Sequence, residues 1–104
     1  MHIHNVYFWL KDGLDSQALA AFEQGLNVLA NDSNVKSGYF GKPADTHRDV
    51  VENTYSYGLV FVFDDLAAHD RYQAGAVHLQ FVEDHASEWE KVIVHDIQTV
   101  KGLG

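Results

Sequence analysis

The chain has 104 residues, 46% of them hydrophobic and 21% charged, with a formal charge of −8 and no cysteine. This balance fits one globular domain spanning 1–104, and it excludes a disordered chain, a disulfide-stapled scaffold and thiolate chemistry. Seven Lys and Arg in all are too few for the basic face that displaces counterions, so neither nucleic acid nor an anionic membrane surface is an expected partner.

The opening MHIHNVYFWLKD has no basic stretch followed by the long apolar run of a signal peptide. No segment reaches the ~20 apolar residues of a membrane span, and a cytoplasmic location is expected. Residues 2–10 alternate as a strand, with His4, Val6 and Phe8 on one face and Tyr7 and Trp9 on the other. Residues 15–30 read as an amphipathic helix capped by Asp15 or Ser16, with Leu19, Phe22, Leu26 and Leu29 in one stripe. Ala21 and Gly25 beside that stripe imply either close packing or space for a ligand. Residues 35–41 form a weaker strand. A long connection, 42–53, carries His47 and Arg48; a solvated surface and an anion contact both fit it. Residues 54–63 are the clearest strand, with Tyr55, Tyr57, Leu59, Phe61 and Phe63 expected on one face.

Asp64 and Asp65 open a short helix to about Gln73. A second helix is expected from Ala76 to Glu90, where His78, Val82, His85 and Trp89 step along one face beside Phe81. Residues 91–100 close the domain as a strand with Val92, Val94 and Asp96 on one face, and the tail from Lys101 to Gly104 reads as loose.

The element order predicts an α+β, ferredoxin-like βαββαβ domain with an antiparallel sheet covered by helices on one face. The other face would carry Ile3, Tyr7, Trp9, Val60, Val62, Ile93 and Ile97. That is more apolar surface than a monomer normally exposes, and it predicts a homodimer joined through the sheets, a dimeric α/β barrel.

Between sheet and helices the pattern places an apolar small-molecule pocket. Phe8, Tyr57, Leu59, Phe61, Phe81, Trp89 and Val94 would line it, and the polar groups would be His4, Tyr57, Tyr72, His78 and Asp96. A histidine can exchange a proton near neutral pH, a carboxylate can orient it, and a tyrosine hydroxyl can hold a carbonyl oxygen. Each also has a plainer role: His78 and Tyr72 as core residues, His4 with Asp96 as a polar pair. The seven histidines include no HExxH and no i,i+4 pair. His2 and His4 could chelate, but no acid or third histidine is near in sequence, so no metal and no cofactor is expected.

The stretches HIHNVYFWLKDG, GYFGKPADTHRDVVENTYSYGLVFVF, DLAAHDRYQAGAVHLQFVE and WEKVIVHD resemble the stress-responsive A/B-barrel (Dabb) family over nearly the whole chain, most closely its short bacterial members. The resemblance implies a dimeric ferredoxin-like domain. The second half is similar to a plant polyketide cyclase of that family, which performs an aldol cyclisation without a cofactor. It implies His78 as base, Tyr72 as its partner, and matches at His4, Trp89 and Asp96. Gly25 and Tyr57 replace a pocket tyrosine and a pocket histidine of the cyclase, and Gly75-Ala76-Val77-His78 departs from the HPxH run of other members. The pocket shape therefore differs and the cyclase substrate does not transfer. Two other classes fit the same residues: a non-enzymatic binding or stress-response module, and a cofactorless monooxygenase.

Overall fold

The computed structural model describes residues 1–102. Strand β1 (His2–Leu10) is followed by helix α1 (Ser16–Ala30), strands β2 (Ser37–Gly41) and β3 (Tyr57–Phe63), helices α2 (Leu66–Ala74) and α3 (Ala76–His85), a 3-10 turn (Ala86–Glu88) and strand β4 (Trp89–Gln98). The four strands form one antiparallel sheet in the order β2-β3-β1-β4. Helices α1 and α2 start where short side chains supply the missing acceptors: Asp15 and Asp65 each accept a backbone N–H at 2.8 Å.

Period-2 alternation decides which face is core. His2, His4, Val6 and Phe8 of β1 are buried, as are Tyr57, Leu59, Phe61 and Phe63 of β3. The register pairs His4 with Phe61 on one side and with Asp96 on the other. Phe22, Leu26 and Leu29 of α1 are 1% exposed or less and close this layer.

Several boundaries differ from the sequence pattern. β3 begins at Tyr57, because Ser56 leaves the strand: its N–H donates to the Phe8 carbonyl (2.7 Å) and its Oγ accepts from Leu10 N–H (2.9 Å). Tyr55 thus crosses to the outer face and packs on Tyr7 at 5.0 Å between ring centroids. The helix expected to reach Glu90 stops at His85, and Trp89 opens β4. Trp89 still meets Phe8 (5.3 Å) and Phe81 (6.0 Å), from a strand instead of a helix. Of the tail, Lys101 and Gly102 carry no regular structure and are exposed, and Leu103 and Gly104 lie outside the described residues.

Gly25 is a close-packing position. A Cβ there would lie 2.8 Å from His85 Nε2 and 3.1 Å from two carbons of the Phe81 ring. His85 cannot swing away freely, because its Nδ1 is bound to Glu88 at 2.6 Å. Alanine improves helix propensity by about 1 kcal/mol over glycine, but overpacking costs about 1–3 kcal/mol. Gly25→Ala is therefore expected to lower the urea midpoint in the native background and to raise it in a His85→Ala background. A midpoint raised in both would mean that the helices are not in this contact.

Candidate active site

Six elements converge on a cavity of about 140 Å³, α1 contributing Leu29. β1 contributes His4, Val6 and Phe8; β3 contributes Leu59; α2 contributes Tyr72 and Gln73. His78, Phe81 and Val82 come from α3, and Trp89, Val92 and Val94 from β4. The wall is mostly apolar, with His4, Tyr72, Gln73 and His78 among the residues that line it.

His78 sits in the first turn of α3, and its ring lies 5.1 Å from the Tyr72 ring. Its Nδ1 is buried and has no hydrogen-bond partner among the described residues. Burial holds the His78 pKa below its ordinary 6.5, only partly offset by the Gln73 backbone. Tyr72 is 1% exposed; burial and the Asp32 charge push its pKa well above the ordinary tyrosine value, so the hydroxyl stays protonated.

Asp96 does not reach His78. It accepts from His4 Nδ1 (2.6 Å) and His2 Nε2 (3.0 Å) at the neighbouring end of the sheet. Burial raises the Asp96 pKa, but these hydrogen bonds outweigh it and the net shift is downward. Burial likewise lowers His4, with Asp96 opposing. His4 can then donate from Nδ1 to the carboxylate while Nε2 accepts from the Gln73 amide at 3.4 Å.

Like Asp96, Tyr57 and Phe61 were expected in the pocket and lie off its wall. Tyr57 turns its hydroxyl to Glu23 Oε2 and lies tilted against Phe22 at 5.4 Å; burial and that carboxylate push its pKa up to about 12. Phe61 is fully buried behind Tyr72, at 5.9 Å. His47 and Arg48 are exposed in the long connection, away from the cavity. A wider depression of about 340 Å³ runs between α1 and α3 past Gly25 and His85, but it holds no buried, unpartnered side-chain polar atom among the described residues.

The sequence pattern passed over two residues. Gln73 bridges toward His4. His69 of α2 brings its Nε2 to 3.9 Å from Asp96 Oδ1 and its ring to 4.3 Å from that of His2. The signal was present: His69, Tyr72 and Gln73 are spaced i, i+3, i+4, so a helix turning Tyr72 inward turns His69 the same way.

The stress responsive A/B barrel domain model matches residues 3–99. The chain belongs to the Dabb family. Among solved structures, a Dabb family protein with a ferredoxin-like fold from Mesorhizobium loti is 24% identical, over 96% of this chain and 97% of its own, with a TM-score of 0.77. A dimeric ferredoxin-like protein of unknown function from Thermobifida fusca is 16% identical, over 94% and 90%, at 0.76. A hydroxynitrile lyase from Passiflora edulis is also 16% identical, over 99% and 96%, at 0.79. These likenesses establish the α+β ferredoxin-like fold. No curated protein sequence matches significantly. Among the described residues, no helix of this Dabb domain is long and apolar enough to cross a membrane.

Proposed function

We propose that this Dabb protein binds a small carbonyl compound in the cavity and carries out acid–base chemistry on it, with His78 as base and Tyr72 as hydrogen-bond donor to the carbonyl oxygen. One observation carries the reading: His78 lines a largely apolar cavity, and among the described residues its buried Nδ1 makes no hydrogen bond within normal limits, the Gln73 backbone compensating the ring only in part. A buried polar atom without a partner costs about 1–3 kcal/mol, and a ligand that supplies the partner removes that cost. The size limits the ligand. A cavity near 140 Å³ holds a benzene-sized molecule and is well under the ~300 Å³ at the lower end of drug-sized sites. Small aldehydes, ketones, β-hydroxy ketones and hydroxynitriles form the panel; the last class is included because a hydroxynitrile lyase shares the fold. Turnover of one of these, lost in His78→Ala, supports the proposal. Turnover unchanged in both His78→Ala and Tyr72→Phe overturns it.

The small cavity also favours a second reading, a binding module without turnover. It predicts saturable binding, weakened by the same substitutions, with no product formed.

The same reading includes a homodimer. On the sheet face away from the helices, Tyr39 is 68% exposed, Ile97 52% and Val60 37%. Covering that face with a second sheet removes apolar area worth about 25 cal/mol per Å², and structural neighbours are described as dimeric. Light scattering at micromolar concentration is expected to give twice the 11.7 kDa chain mass. Val60→Asp together with Ile97→Asp is expected to halve it, and a native monomer would refute the dimer.

A further inference from the structure

We infer that His2, His4, His69 and Asp96 form a binding site for a divalent first-row transition metal ion, Zn²⁺ being the best match. One donor atom from each residue lies within 4.8 Å of all the others. Around a tetrahedral ion with bonds of about 2.0–2.1 Å, neighbouring donors stand about 3.3 Å apart. The distances from Asp96 Oδ1 to His4 Nδ1, His2 Nε2 and His69 Nε2 are 2.6, 3.0 and 3.9 Å, values that straddle this figure. Three imidazoles with one carboxylate suit zinc, cobalt, nickel and copper, whereas calcium and magnesium call for oxygen donors.

The surroundings point the same way. Two strands and a helix supply the four residues, so the fold fixes their directions. His2 and His4 are 7% and 3% exposed, while the Asp96 side chain is 39% exposed and leaves a path for the ion. His69 Nδ1 lies 3.0 Å from Asp70 Oδ1. That contact places the ring proton on Nδ1 and leaves Nε2, which also faces the Gln73 amide at 3.5 Å, as an acceptor toward the cluster, the carboxylate–histidine–metal arrangement. A structural polar pair of His4 and Asp96 needs no third imidazole, yet the His69 ring lies 4.9 Å from that of His4 and 4.3 Å from that of His2. Because His4 also lines the cavity, a bound ion would sit at the cavity edge.

The test uses untagged full-length protein, stripped with a chelator and titrated with Zn²⁺ by calorimetry, with Co²⁺ as a spectroscopic probe. One ion per chain is expected, with a Kd below about 1 µM and the intense visible bands of four-coordinate Co²⁺. His69→Ala should weaken Zn²⁺ binding at least 100-fold. Asp70→Asn, at a side chain 67% exposed that the fold does not need, should weaken it about 10- to 100-fold. His47→Ala, in the exposed connection, should leave it unchanged. The proposal is overturned if Zn²⁺ does not bind below about 100 µM, or if it binds equally well to the His69 and Asp70 variants. None of these readouts involves turnover, so the result is independent of the role given to His78.

Discussion

Replacing Phe22 with alanine lowers the unfolding free energy by about 3–5 kcal/mol. The ring is fully buried and central: it meets Phe8 at 5.3 Å, Tyr57 at 5.4 Å, Phe81 at 5.6 Å and His85 at 5.4 Å. These partners come from β1, β3 and α3, so one truncation loosens three interfaces of α1. Aromatic contacts are held by rings that cannot flow into the space left behind, and the cost belongs at the upper end of that range. A domain of this size is stable by only about 5–15 kcal/mol, and the loss corresponds to a fall in Tm on the order of 20 °C. Thermal unfolding followed by circular dichroism at one fixed protein concentration measures it, since association would itself shift Tm. A fall of under about 5 °C would mean that α1 does not seat this face on the sheet. Val50→Ala, at a position 80% exposed, should leave Tm unchanged.

His78→Ala is expected to reduce kcat/KM on the small carbonyl substrate about 10²–10⁴-fold, the usual worth of a positioned general base. Tyr72→Phe should cost about 10²-fold or somewhat more, the worth of one donor to a developing oxyanion. The pH profile separates these from loss of packing. A general base works in its neutral form, and burial places the His78 pKa below the ordinary 6.5. The rate should therefore be flat above pH 6.5 and fall only below it. The stability linkage has the same sign. A histidine whose folded pKa is depressed contributes stability that is present above its unfolded pKa and lost as pH falls through the folded one. Tyr72, with its pKa raised by burial, adds no alkaline limb below about pH 10. An acid limb that persists in the residual activity of His78→Ala would assign the titration to another group and remove His78 from the base role.

The sheet and its burial were legible because strand alternation is strict here. Val6 and Phe8, or Leu59 and Phe61, cannot change face without a one-residue slip that exposes the whole set. The α1 stripe was legible for the same kind of reason. The α3–β4 junction was not. Trp89 continues the helical spacing of His78, Val82 and His85, yet the 3-10 turn at Ala86–Glu88 returns it to the same core as a strand residue. Periodicity finds the side that is buried and says little about where one element hands over to the next. Tyr55 shows the same limit, displaced to the other face once Ser56 bonds across the ladder. The candidate site was half legible. Tyr72 and His78 are close in sequence, and the geometry puts their rings together. The His4–Asp96 pair was expected and is present, but the addition of His2 and His69 to it depends on tertiary closure, which no local spacing records.

β1 and β4 are neighbours in the sheet, joined from His2 opposite Gln98 to Leu10 opposite Trp89, and Thr99 N–H donates to the Met1 carbonyl at 3.0 Å. β1 is an inner strand, flanked by β3 and β4. During synthesis it must therefore wait with one edge unpaired until nearly the last residues of the domain have left the ribosome. Helices α1 to α3 and the β1–β3 and β2–β3 ladders can form in that interval, but the β1–β4 ladder cannot. Closure of the sheet thus waits on β4, and until β4 pairs the chain carries an apolar strand with an open edge that chaperones or a second chain can meet first.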